Sequence, residues 1–242
     1  MGLIELQHVS KRYRMHRSRE LLVHKARRMG RGNETMFEAL HDVTVRIDPG
    51  ERVAIVGGNG AGTSTLLSII AGVAAPSEGT VRTEGRVGAL LELGTGFHED
   101  LTGRENIRVN ASLLGLTAKE LDRQFDAIVD FAEVGAFLDE PLRTYSSGMS
   151  ARLGFAVAIH IKPQILVLDE VMAVGDAKFQ AKCRKKIDEL VASGVTLLFV
   201  SHAMDSVAAI CDRAIWLREG RVVEDGNAAA VIDAYAQMTK PR

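Results

Sequence analysis

Apolar and polar positions along this chain change period several times, and each change predicts a different element. Residues 3–9 alternate like a half-buried strand. Residues 43–47 alternate in the same way, and residues 51–56 form an apolar, β-branched run that reads as a buried strand. With the strand at 43–47 it is expected to make the first sheet elements. Asp48-Pro-Gly50 between them is a turn signal. Residues 65–71 then read as a helix stopped by Gly72, and residues 81–91 as strand broken at Gly85. From Thr102 the spacing turns helical: 105–114 and 118–131 fit helices, with Gly115 between them, and 151–161 continues the pattern. Residues 165–168 and 195–200 are continuous apolar runs, the mark of parallel strands covered on both faces. Residues 213–223 read as a hairpin turning at Glu219-Gly220, and 227–238 as a closing helix. Strands alternating with helices predict an α/β fold with a parallel sheet, interrupted by a helical insert.

Composition narrows the function class. The chain has 242 residues, 46% of them hydrophobic, and a net charge of −1, so global charge makes no case for nucleic acid. Its 2 cysteines, Cys183 and Cys211, have no metal-type spacing and read as reduced thiols. No apolar run reaches the roughly 18 residues that span a bilayer, and the N-terminus lacks the build of a signal peptide. The expected location is therefore the cytosol, with any membrane role supplied by a partner. One segment stands out: nine Lys and Arg lie between Lys11 and Arg31. It reads either as a solvated surface segment or as a contact for lipid headgroups or a membrane partner.

The chemistry begins at Gly57-Gly-Asn59-Gly60-Ala61-Gly62-Thr63-Ser64-Thr65. A strand precedes it and a helix follows, the arrangement that aims backbone N–H groups and a helix N-terminus at phosphate. Gly57, Gly62 and Ser64 fit the pattern G-x-x-x-x-G-K-[ST], but Thr63 stands where the lysine belongs. The Ser64 hydroxyl suits Mg²⁺. Asp169 and Glu170 end a buried strand, as expected of a magnesium-holding aspartate and a carboxylate that orients or deprotonates water. His202 follows the next strand and would face the same sheet edge. Ser147 reads as the N-cap of the helix that follows Tyr145-Ser-Ser-Gly148-Met, a second candidate anion site.

In order, these motifs are the glycine-rich loop, Glu92, Ser147-Gly148, Asp169-Glu170, Asp176 and His202. The series resembles the nucleotide-binding domain of ABC transporters over essentially the whole chain. The resemblance implies an α/β P-loop NTPase (RecA-like) core with a small antiparallel β subdomain and an inserted helical subdomain. The expected division is 1–96 for the β subdomain and first part of the core, 97–153 for the helical subdomain, and 154–242 for the rest of the core and the C-terminal helix. It implies ATP and Mg²⁺ as ligands, with Ser64, Glu92 and Asp169 on the metal and Glu170 and His202 at the terminal phosphate. It implies a head-to-tail homodimer, in which Ser147 and Gly148 close over ATP on the other copy, Asp176 links the two sites, and Tyr13 stacks on the base. Leu91-Glu-Leu-Gly-Thr-Gly-Phe-His-Glu-Asp-Leu-Thr-Gly-Arg-Glu-Asn106 is similar to the polysaccharide-export branch, where glutamate replaces the usual glutamine at position 92. That branch implies an ATPase on the cytoplasmic face of the inner membrane. It would work with a membrane-spanning permease that handles a lipid-linked polysaccharide, and with no nucleic acid. Ending at Arg242, the chain is similar to the short members without a carbohydrate-binding domain. Thr63 implies weak or absent turnover. The competing reading is a non-hydrolysing regulatory subunit; a soluble ATPase acting on ribosomes or DNA fits a single short domain less well.

Overall fold

The computed structural model describes residues 2–14, 36–89, 96–168, 175–201 and 203–239. Strands β1 (Leu3–Arg14), β2 (Met36–Ile47) and β4 (Glu78–Glu84) form a three-stranded antiparallel sheet in the order β2-β1-β4. A six-stranded sheet contains β3 (Arg52–Val56), β5 (Val87–Ala89), β6 (Ile165–Leu168), β7 (Thr196–Val200), β8 (Arg213–Arg218) and β9 (Arg221–Asn227), in the order β5-β6-β7-β3-β8-β9. Only the β8–β9 pair is antiparallel, closed by Glu219 and Gly220, both at positive φ. The expected first sheet is thus divided: 43–47 belongs to the small sheet and 52–56 to the centre of the large one. The tight turn at Asp48-Pro-Gly50 redirects the chain from one to the other, with Gly50 at φ 82°.

Side chains alternate across the large sheet, and both faces are apolar. Val53, Ile55, Ile165, Val167, Leu198, Val200, Ile215 and Leu217 pack with α1 (Thr63–Ile70) and the small sheet. Ala54, Val56, Leu166, Leu168, Leu197, Phe199, Ala214 and Trp216 pack with the opposite helices. Those are α2 (Gly103–Leu113), α3 (Ala118–Ala132), α4 (Ser147–His160), α5 (Ala177–Ala192), α6 (Met204–Ile210) and α7 (Ala228–Thr239). Helix α1 has a poor intrinsic sequence, Thr-Ser-Thr-Leu-Leu-Ser-Ile-Ile. Burial of Leu66, Leu67, Ile69 and Ile70 compensates, each contributing about 1.5–3 kcal/mol.

The loop before α1 is held at a three-way junction. Gly220 N–H donates to the Ala61 carbonyl at 2.9 Å, and His41 N–H donates to the Gly220 carbonyl at 2.8 Å. Gly62 sits at φ 102°, and a Cβ there would lie 2.6 Å from the Ala39 carbonyl oxygen and 2.9 Å from a Leu40 methyl. Gly62→Ala is therefore expected to cost about 2–5 kcal/mol, from backbone strain plus overpacking. A urea midpoint unchanged from the parent would contradict this junction.

Helices α2 and α3 begin with reciprocal capping boxes, Thr102 with Glu105 and Thr117 with Glu120. Hydrogen bonds from Thr117 and from Arg86 lower the Glu120 pKa from 4.5 to about 2. A depressed carboxylate pKa contributes stability that is complete above the unfolded value and lost as pH falls toward the folded one. Glu120→Gln is expected to flatten the stability profile between about pH 4.5 and 2 and to lower stability above it. The check is the denaturation midpoint of both forms across that range; parallel curves would contradict the assignment.

Candidate nucleotide site

Strands β3, β5, β6, β7 and β8 run parallel, so their carboxyl ends share one edge of the sheet. Ligands of open α/β sheets bind at that edge. The loop 57–62 leaves β3 there. Its inner side is closed: a Cβ at Gly57 would lie 2.7 Å from the Leu217 carbonyl and 2.8 Å from the Ala61 methyl. Its outer lip, Gly58, Asn59 and Gly60, is exposed, and a Cβ at Gly58 or Gly60 would meet nothing within 4 Å. Gly60 has φ 80°, and Ala61 N–H closes a turn on the Gly58 carbonyl at 3.0 Å. Ala61 is buried.

Helix α1 follows directly. Its N-cap, Gly62, offers no side-chain acceptor, and the first helical bond is from Leu66 N–H to the Gly62 carbonyl at 2.9 Å. The N–H groups of Thr63, Ser64 and Thr65 are left without intrahelical acceptors. No acidic residue lies in the first turn to compete for them. The result is a row of donors at the positive end of a helix, beside an open glycine lip, which suits an anion with several oxygens. Thr63 is half-buried, and its methyl lies 3.5 Å from where a Gly57 Cβ would sit. It turns back into the loop and brings no positive charge to the lip. Ser64 is exposed.

Tyr13 lies on β1 directly across from Phe37 on β2, and both rings are exposed. Lys11 Nζ stands 5.1 Å from the centre of the Tyr13 ring. Arg12 ties this end of the sheet to Glu78 and Glu38 at 2.8 and 3.2 Å.

The second anion site differs in one residue from expectation. Ser146, not Ser147, caps α4: its hydroxyl accepts from Met149 N–H at 3.2 Å, and its backbone is extended, as a cap requires. Ser147 and Gly148 are the first two helical residues, with Ser147 exposed. Asp176 caps α5, accepting from Phe179 N–H at 2.8 Å. Helices α1 and α4 pack on opposite faces of the large sheet, and among the described residues no hydrogen bond joins the loop to the Ser146 turn of the same chain. Glu92, Asp169, Glu170 and His202 lie outside the described residues, as does most of the basic segment, from residue 15 to 31. β6 and β7, which lead toward three of them, end at Leu168 and Val200 on the same edge as the loop.

Sequence reasoning missed the clamp on the loop by Ala39, Leu40 and Gly220, because it joins three distant segments. It also missed Ser146, although a serine three residues before the Met149 amide was a visible capping signal.

A residue set that fits ATP and Mg²⁺ is present in part among the described residues. The donor row and glycine lip match phosphates, and Ser64 matches a metal-bound hydroxyl; no group of three or more His, Cys, Asp or Glu forms a separate metal cluster there. Among the described residues no helix is long and apolar enough to cross a membrane.

Residues 40–173 match the family described as ABC transporter. The chain is 48% identical to an O-antigen export system ATP-binding protein RfbB of Klebsiella pneumoniae, over 97% of this chain and 98% of that protein. It is 39% identical to a teichoic acids export ATP-binding protein TagH of Listeria innocua, over 98% of this chain and 70% of that protein. Among solved structures it resembles an ATP binding subunit of an ABC transporter, with a TM-score of 0.75 at 23% identity, covering 97% of this chain and 93% of that one. The fold likewise matches a dimeric ATP-binding cassette, MJ0796, solved with ADP and Pi, with a TM-score of 0.72 at 23% identity over 93% of this chain and 98% of that one. The donor row, the sheet edge that carries it and the match across 40–173 agree: this chain belongs to the ABC transporter family.

Proposed function

We propose that this chain is the ATP-binding subunit of a polysaccharide exporter. The observation that carries the reading is the glycine lip and free donor row at 57–65, in a chain that is 48% identical over nearly its full length to an O-antigen export ATP-binding protein. ATP phosphates would rest on the N–H groups of the loop and of Thr63, Ser64 and Thr65, with Gly57, Asn59, Gly60, Ala61 and Gly62 shaping the cradle. Tyr13 would stack on the base. Bound Mg²⁺, held by Ser64, Glu92 and Asp169, would neutralise charge on the terminal phosphates. Glu170 would orient the attacking water and His202 would touch the γ-phosphate. The Ser147-Gly148 turn would complete the site on a second copy, with Asp176 between the two sites. Closure of that dimer would move a membrane-spanning permease at the cytoplasmic face of the inner membrane, and the permease would pass a lipid-linked polysaccharide.

Thr63 sets the strength of this motor. A lysine there donates a charge-assisted hydrogen bond, a contribution of about 1.5–3 kcal/mol, or roughly 10- to 150-fold in affinity. Threonine supplies neither charge nor reach. The same residue favours a second reading, a nucleotide-binding regulatory subunit that does not hydrolyse.

Thr63→Lys is expected to tighten ATP binding by about 10- to 150-fold and to raise turnover by more, because the lysine also meets charge developing in the transition state. Nucleotide titration and phosphate release, with the membrane partner present, measure both. If neither form turns over while both bind ATP, the motor reading fails and the regulatory one stands.

A further inference from the structure

The segment after Glu92 and the segment before the Ser146 turn are laced together. Gly103 N–H donates to the Glu140 carbonyl at 3.2 Å, Arg104 N–H to Leu138 at 2.9 Å, Leu142 N–H to Leu101 at 2.9 Å and Arg143 N–H to Glu99 at 2.9 Å. Arg104 pairs with Asp139 at 2.7 Å and Arg143 with Asp100 at 2.6 Å. Inside this lacing Asn106 is fully buried. The two N–H hydrogens of its amide are shared among the carbonyls of His98, Leu101 and Thr102, each at 3.0 Å from the nitrogen, and its oxygen accepts from His98 N–H at 2.8 Å.

Tyr145 closes the lacing at the point where the chain enters the turn. Its ring is buried, its hydroxyl donates to the Phe137 carbonyl at 2.8 Å, and Phe137 meets it edge to face. Gly103 lies beneath the hydroxyl so closely that a Cβ there would overlap the Tyr145 oxygen. Both ends of the Tyr145 side chain are therefore fixed, and the next residue is the α4 cap, Ser146.

We infer that Tyr145, seated on Gly103, is a positioning residue for the Ser146–Gly148 turn, setting where that turn meets nucleotide held by a second copy of this chain. The inference rests on the dimer described under Proposed function. Tyr145 lies with α4, across the large sheet from α1, so its loss leaves the loop of its own chain intact. It acts on closure and not on the first capture of nucleotide.

Tyr145→Phe, Gly103→Ala and the double variant, each in the Thr63→Lys background, test this. Two quantities are read: affinity of the single chain for ATP without Mg²⁺, and the ATP- and Mg²⁺-dependent dimer dissociation constant by sedimentation. Tyr145→Phe is expected to weaken the dimer by about 2- to 10-fold, the worth of one neutral hydrogen bond, with single-chain affinity within twofold. Gly103→Ala is expected to weaken it more. The double variant should recover part of that loss, because removing the hydroxyl opens the space the new methyl needs. The inference is overturned if both single variants dimerise as the background does, or if single-chain affinity falls in step with dimerisation, which would mark general damage. If the background binds ATP yet forms no dimer, the dimer reading fails and this inference falls with it.

Discussion

The two-sided burial of the six-stranded sheet is the constraint on which everything else depends. Each central strand is apolar on both faces, so helices must cover both. The chain meets this by placing α1 and the small sheet on one side and helices α2 to α7 on the other. Parallel pairing then collects the carboxyl ends of five strands at one edge, where loops carry polar groups without burying them. The same arrangement keeps the Ser146 turn away from its own nucleotide loop. In the dimer proposed above, a site that needs both would be completed by a second copy, and closing the site would bring the two copies together.

Within that frame, glycine does most of the positioning. Gly57, Gly62 and Gly220 stand where backbone strands approach too closely for a Cβ. Gly58 and Gly60 line the open lip. Among the described residues, the first turns of α1 and α4 both lack acidic residues and so present backbone dipoles to an anion. Two buried thiols, Cys183 and Cys211, are pushed up to about 12 by desolvation, so neither is reactive near neutral pH.

Period and punctuation made most elements legible. The runs 165–168 and 195–200, the hairpin at Glu219-Gly220 and the glycine stops at Gly72 and Gly115 all reflect local rules of burial and turn geometry. The glycine loop was legible because its function constrains contiguous residues. What escaped was non-local. Nothing near Val43 signals that it pairs in a different sheet from Val53. Nothing near Gly220 signals that it holds Ala61 and His41. The shift of the cap from Ser147 to Ser146 is a choice between adjacent serines, settled by where the helix begins: the Ser146 backbone is extended and its hydroxyl accepts from the Met149 amide.

In the proposed dimer the loop of one copy meets the Ser146 turn of another. The direct measurement is cross-linking between two chains in the Thr63→Lys form, one carrying Asn59→Cys and the other Ser147→Cys, both positions being exposed. With ATP, Mg²⁺ and a mild thiol oxidant such as copper phenanthroline present, the mixture is expected to form a disulfide-linked dimer, and neither chain alone is expected to do so. No cross-link between chains, or an efficient link within one chain carrying both cysteines, would contradict it.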